Sequence, residues 1–157
     1  MLHLIPAPVH RGLYRLAHRL RSHWWRLRKP RLNGCRVVAL DEAGRVLLIR
    51  HSYGSSSWMP PGGGIGRAES VLAAALRELR EETGCGLDGA VHIATIEEEV
   101  HGAANYVHIV AGRAQGQPRP DHREVVEAAF FGLDVLPAPM SDLLRERLPG
   151  WVREFGG

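Results

Sequence analysis

The chain has 157 residues, with 45% hydrophobic and 24% charged side chains, a balance that suits one globular domain with its own core. No run approaches the ~20 consecutive apolar residues of a membrane-spanning helix. The opening MLHLIPAPV runs into arginines and lacks the apolar core and cleavage site of a secretory signal. The net charge of +3 conceals a division: the first 36 residues hold nine basic and no acidic side chains, the rest eleven basic and seventeen acidic. Such asymmetry marks a contact with nucleic acid, membrane or partner without saying which.

In chain order, residues 9–28 are predicted to be a helix, with Pro8 near its start and Pro30 just beyond its end. Leu13, Leu16, Ala17, Leu20, Trp24 and Leu27 follow the helical stripe, and Arg15, Arg19 and Arg26 lie opposite. CRVVAL (35–40) and RVLLIRH (45–51) then form a hairpin around the turn 41–44. HSYGSSSWMPPGGG (51–64) reads as a loop, and residues 69–83 as a second helix stopped by Gly84. AVHIATIEEEV (90–100) and NYVHIVAGRA (105–114) are strand-like. A polar loop leads to a last strand, VVEAAFFGL (125–133), and a helix near 140–148. Strands set between helices indicate a mixed α/β domain. Cys35 and Cys85 show no metal spacing, which suits reduced thiols in an intracellular protein.

The segment GGGIGRAESVLAAALRELREETGC (62–85) carries the chemistry. On a helix, Glu78, Glu81 and Glu82 fall at i, i+3 and i+4, so three carboxylates share one face beside the apolar stripe. Crowded there, they repel one another unless a cation joins them, and a hard divalent ion bound through oxygen is the natural one. Arg77 can orient a carboxylate. Taken alone, such a Glu/Arg run is an ordinary solvated helix face. The glycines just upstream change that reading, because they let the backbone approach another group closely.

The pattern Gly63-x5-Glu69-x7-Arg77-Glu78-Leu79-x-Glu81-Glu82-x-Gly84-Cys85 resembles the Nudix box, G-x5-E-x7-R-E-U-x-E-E-x-G-U, at every identity position. Only Cys85 departs, standing where the family usually has a bulky aliphatic residue. The resemblance implies a Nudix-like α/β/α sandwich with a mixed sheet, here residues 34–157, preceded by a basic amphipathic extension, residues 1–33. It implies metal-dependent hydrolysis of a diphosphate bond in a nucleoside diphosphate derivative. Glu78, Glu81, Glu82 and the Gly62 carbonyl would ligate Mg²⁺ (or Mn²⁺), with Arg77 holding the glutamates and Glu78 or Glu81 accepting the proton of the attacking water. Gly63, Glu69 and Gly84 would be structural. A later-loop acid often joins the metal, with Glu124 the first choice and Glu127 the second. Arg50, His51, Tyr53 and Arg67 flank the box as candidate substrate contacts.

The family's marks for ADP-ribose, diadenosine polyphosphates and NADH are absent, so a nucleoside triphosphate, an ADP-linked metabolite and a capped or triphosphorylated RNA end stay open. The rival readings are a catalytically weak Nudix-fold binding or regulatory module, and an RNA- or membrane-associated protein acting through the basic N-terminal helix. That helix could also pack on the domain or make a homodimer. A cytoplasmic location is preferred to a mitochondrial one, because Trp24-Trp25 and the run into the first strand look like folded protein.

Overall fold

The computed structural model describes residues 32–100, 103–120 and 122–156, with Ala17 alone before them. The expected N-terminal helix, and with it any homodimer, membrane or RNA contact, lies outside the described residues. The elements are β1 (Leu32–Leu40), β2 (Val46–His51), β3 (Gly62–Gly64), α1 (Val71–Thr83), β4 (Gly86–Val100), β5 (Ala103–Gln115), β6 (Val125–Phe131) and α2 (Asp142–Gly156), with a 3-10 turn at Leu133–Val135.

The sheet runs β4-β5-β1-β2-β6, and β3 pairs with β1 off this path. It is mixed: β1 and β5 are parallel, and every other pairing is antiparallel. Alternate residues of β1 serve opposite faces. Cys35, Val37 and Ala39 pack with Leu47, Ala74, Ala75 and Leu79 beneath α1, while Val38 and Leu40 pack with Leu48, Ile109, Leu144, Leu148 and Trp151 beneath α2. A strand covered on both sides has no polar face, which is why VVAL is unbroken in sequence. Each such Val or Leu contributes about 1.5–3 kcal/mol through burial. One helix on each face of a mixed sheet is the architecture expected of the chain.

Local chemistry sets the element ends. Ser70 caps α1, its Oγ accepting from the Ala73 N–H 3.2 Å away. Gly84 closes α1 at φ 72°, a left-handed conformation that favours glycine. The hairpin turn is held by Asp41, whose Oδ1 accepts from the Ala43 and Arg45 N–H groups.

Two expectations are corrected. Gly62–Gly64 is a strand rather than part of a loop: Gly62, Gly63 and Gly64 partner Arg36, Cys35 and Gly34. β1 pairs with β2 only at Leu40↔Val46, and β3 takes up the edge that β2 leaves. The last helix continues past Leu148 through Pro149 to Gly156. Proline removes a backbone donor from a helix interior. Here the helix is nonetheless anchored beyond it by Trp151, 4% exposed, with Val152 and Phe155 also against the core.

Candidate active site

The site is assembled where β3 meets α1. Its glycines are required by contact, and Gly62 also by its φ of 154°. A Cβ at Gly62 would lie 2.1 Å from the Cys35 carbonyl oxygen, and one at Gly63 would lie 2.5 Å from the Glu78 carboxyl carbon. The strand therefore lies flush against both the β1 backbone and the glutamate side chain.

Arg77 is the hub. Its Nε donates to Glu69 Oε1 at 2.8 Å, and Nη2 to Glu69 Oε2 at 2.9 Å, a two-pronged pair. Nη1 donates to Glu78 Oε1 at 2.7 Å and to Glu81 Oε2 at 3.4 Å, and Nη2 reaches the Gly64 carbonyl at 3.1 Å. Glu69 also accepts from the Gly66 N–H at 3.0 Å, closing the turn that leads into α1. The Arg77 hydrogen bonds, then the Gly66 N–H, hold the Glu69 carboxyl down at about 2. The hydrogen bonds that Arg77 donates to Glu69 and Glu78 push its guanidinium further up.

Glu82 is the buried member of the triad, 6% exposed. Its Oε2 accepts from the Gly62 N–H at 2.9 Å, and its Oε1 lies 3.5 Å from His51 Nε2. Burial pushes its carboxyl up to about 8; the Gly62 N–H opposes this, and the charges of Glu78 and Glu124 add to it. Burial also raises Glu78, with Glu81 and Glu124 adding repulsion against the pull of Arg77. Glu81 is largely exposed.

The two candidate loop acids part company. Glu124 stands close enough to raise both Glu78 and Glu82, and its backbone carbonyl accepts from the Ser52 N–H at 2.8 Å. Glu127 instead partners Arg50 across β2 and β6, with a 2.7 Å ion pair. Arg50 thus faces Glu127 and the Trp58 ring rather than the glutamates. His51 sits at the glutamate cluster with its ring 5.2 Å from that of Tyr53, and Arg67 is exposed in the turn before α1.

Arg36 escaped the sequence reading. It lies on β1, its charge lowers the Glu82 carboxyl, its Nη2 is 3.6 Å from Glu98, and its buried Nε has no hydrogen-bond partner among the described residues. Nothing local could have revealed it, because its neighbours come from β4 and α1. Among the described residues, no three His, Cys, Asp or Glu side chains converge as a ready-made metal cage. Glu78 and Glu81 lean on Arg77, while Glu82 leans on a backbone N–H. A cavity of about 790 Å³ opens elsewhere, lined by Asp41, Glu42, Arg45, Asp88, Arg113 and Phe130, and includes no residue of the box.

With this geometry, comparison with known proteins is informative. The NUDIX domain model matches residues 30–155. An oxidized purine nucleoside triphosphate hydrolase of Danio rerio is 29% identical over 104 residues, covering 64% of this chain and 67% of its own length. Among solved structures, a MutT NUDIX hydrolase from Burkholderia pseudomallei is 26% identical, with a TM-score of 0.69 over 76% of this chain and 97% of its own. A MutT protein from Methanosarcina mazei shares the fold at 22% identity and a TM-score of 0.70, over 83% of this chain and 99% of its own. The chain belongs to the NUDIX domain family and is a Nudix pyrophosphohydrolase, a hydrolase of nucleoside diphosphate derivatives.

Proposed function

We propose that the protein cleaves a diphosphate bond with the help of Mg²⁺, or Mn²⁺ in its place, held by Glu78, Glu81, Glu82, Glu124 and the Gly62 carbonyl. The observation that carries this reading is the gathering of carboxylates at the β3–α1 junction, with buried Glu82 on the Gly62 N–H and Glu78 flush against Gly63. The donor set fits: these are hard oxygen donors, and the charged form of Glu82 is disfavoured until a cation joins it. When bound, the ion supplies positive charge against the charge that develops on the phosphoryl oxygens.

The chain's own residues have separable tasks. Arg77, fixed by Glu69 and the Gly64 carbonyl, sets the rotamers of Glu78 and Glu81. Glu78 or Glu81 accepts the proton of the attacking water at a carboxylate oxygen. Gly62 and Gly63 keep side chains out of the space beside that carboxylate. The first substrates to try are purine nucleoside triphosphates, because the Danio rerio relative is named for oxidized ones. The two cysteines are buried free thiols, which favours a cytoplasmic location.

The test is a screen of nucleoside triphosphates and nucleoside diphosphate derivatives, scored by release of phosphate or pyrophosphate. Turnover is expected to need Mg²⁺, to stop with chelator and to return when Mg²⁺ is restored. Full activity in excess EDTA would remove the metal from the mechanism.

A further inference from the structure

A second cluster of metal-ligating side chains shares no residue with the glutamates. It is built by an irregularity in β4. His92 and Thr95 are three residues apart and would point to opposite faces of a regular strand. The register slips between His92 and Ala94: His92 partners Val110, Ala94 partners Ile109, and Thr95 partners His108. The extra residue, Ile93, resets the alternation, so His92, Thr95 and His108 all lie on the face that carries α1.

Their heteroatoms form a triangle. His92 Nε2 is 3.1 Å from Thr95 Oγ1, Thr95 Oγ1 is 3.0 Å from His108 Nδ1, and the two ring nitrogens are 3.3 Å apart. Hydrogen bonds cannot satisfy all three edges with neutral rings. Each imidazole nitrogen is either donor or acceptor, and a hydroxyl has one proton, so at most two edges are bonded. A triangle with edges of this length is one face of a tetrahedron around a small cation: a metal–nitrogen bond of 2.0–2.1 Å gives donor–donor edges of about 3.3 Å.

We infer that His92, His108 and Thr95 form a binding site for a divalent transition-metal ion of the imidazole-seeking class, with zinc its natural probe. Imidazole nitrogens favour zinc, copper or nickel over magnesium, so the two clusters sort cations by ligand chemistry. His92 and Thr95 are exposed, so water can complete the coordination. β4 is an edge strand, and the ion would staple its bulge to β5.

The test is zinc titration of the full chain in excess Mg²⁺, comparing wild type with His92→Ala and His108→Ala, together with the visible spectrum after Co²⁺ substitution. One zinc is expected per wild-type chain, bound at least ~10-fold more tightly than by either variant, with a tetrahedral Co²⁺ band that both variants lose. Each variant should keep its Mg²⁺-dependent turnover, which shows that it has folded. His92→Ala, on the exposed edge, decides the matter should His108→Ala be unstable. Zinc uptake unaffected by His92→Ala, or none by the wild type, overturns the assignment and leaves a hydrogen-bonded surface cluster.

Discussion

Arg77, Glu69 and the three helix glutamates act through distinct physics, so their substitutions should fail in distinct ways. Glu82→Gln and Glu81→Gln should each lower kcat by at least ~10²-fold, because a lost ligand removes charge stabilisation in the transition state. Folding should survive, because Gln keeps the shape of the side chain and an oxygen that accepts from the Gly62 N–H. Near-normal turnover in both variants would reduce the cluster to a solvated helix face. Glu124→Gln should cost more activity than Glu127→Gln, since Glu124 acts on Glu78 and Glu82 while Glu127 is paired with Arg50. The opposite order in steady-state assays would transfer the role to Glu127. Glu69 makes a pH-dependent contribution. Its folded pKa, about 2, lies below the ordinary 4.5, so the stabilisation is complete above 4.5 and fades as pH falls toward 2. Urea unfolding should show Glu69→Gln less stable than wild type at pH 7, with the gap unchanged down to pH ~4.5 and shrinking below it. A gap independent of pH down to 3 would separate the Glu69–Arg77 pair from stability.

Strand β3 and helix α1 are coupled through glycines, and the two positions predict different outcomes. At Gly63 the obstacle is a movable carboxylate, so Gly63→Ala should leave stability nearly intact yet displace Glu78 and lower kcat by ~10²-fold, as a misplacement of about 1 Å can. At Gly62 the obstacle is the Cys35 carbonyl, part of the β1 backbone that cannot step aside. Thermal melts and kinetics on the Gly63 variant test this; full activity would mean that Glu78 tolerates the push. These elements were unequally legible in sequence. Helix α1 was plain, because Ser70, the apolar stripe and Gly84 are local signals that agree. β3 was not, since three glycines carry no alternation to read. The extension of α2 was hidden because Pro149 argues locally for a stop, and Trp151 overrides it only once the sheet exists. The glutamates could be named from their spacing alone. Their neighbours Arg36, His51 and Glu124 come from distant segments, and only folding brings them together.

For the molecule as a whole, the charge division and the site lie on different parts of the chain. Apart from Arg36, the described site draws on residues 51–124, and the other eight basic side chains of the acid-free stretch lie at or before residue 31. Deleting residues 1–31 should therefore leave Mg²⁺-dependent hydrolysis intact in the soluble material. If the apolar stripe around Leu16, Leu20 and Trp24 packs against protein, the same deletion should lower the melting temperature or change the mass in solution. Unchanged melting and mass would point to a surface that is covered by something other than this chain.

The parallel pairing of β1 with β5 has a consequence for synthesis. β1 is the central strand and is apolar on both faces, yet its parallel partner begins at Ala103. A nascent chain leaving the ribosome therefore holds this doubly apolar strand early and its parallel partner late. The hairpin with β2 and the short β3 pairing can shield only part of that strand in the interval. Pauses in translation before β5 emerges lengthen the exposure, so the speed of elongation through the middle of the message bears on the yield of native protein.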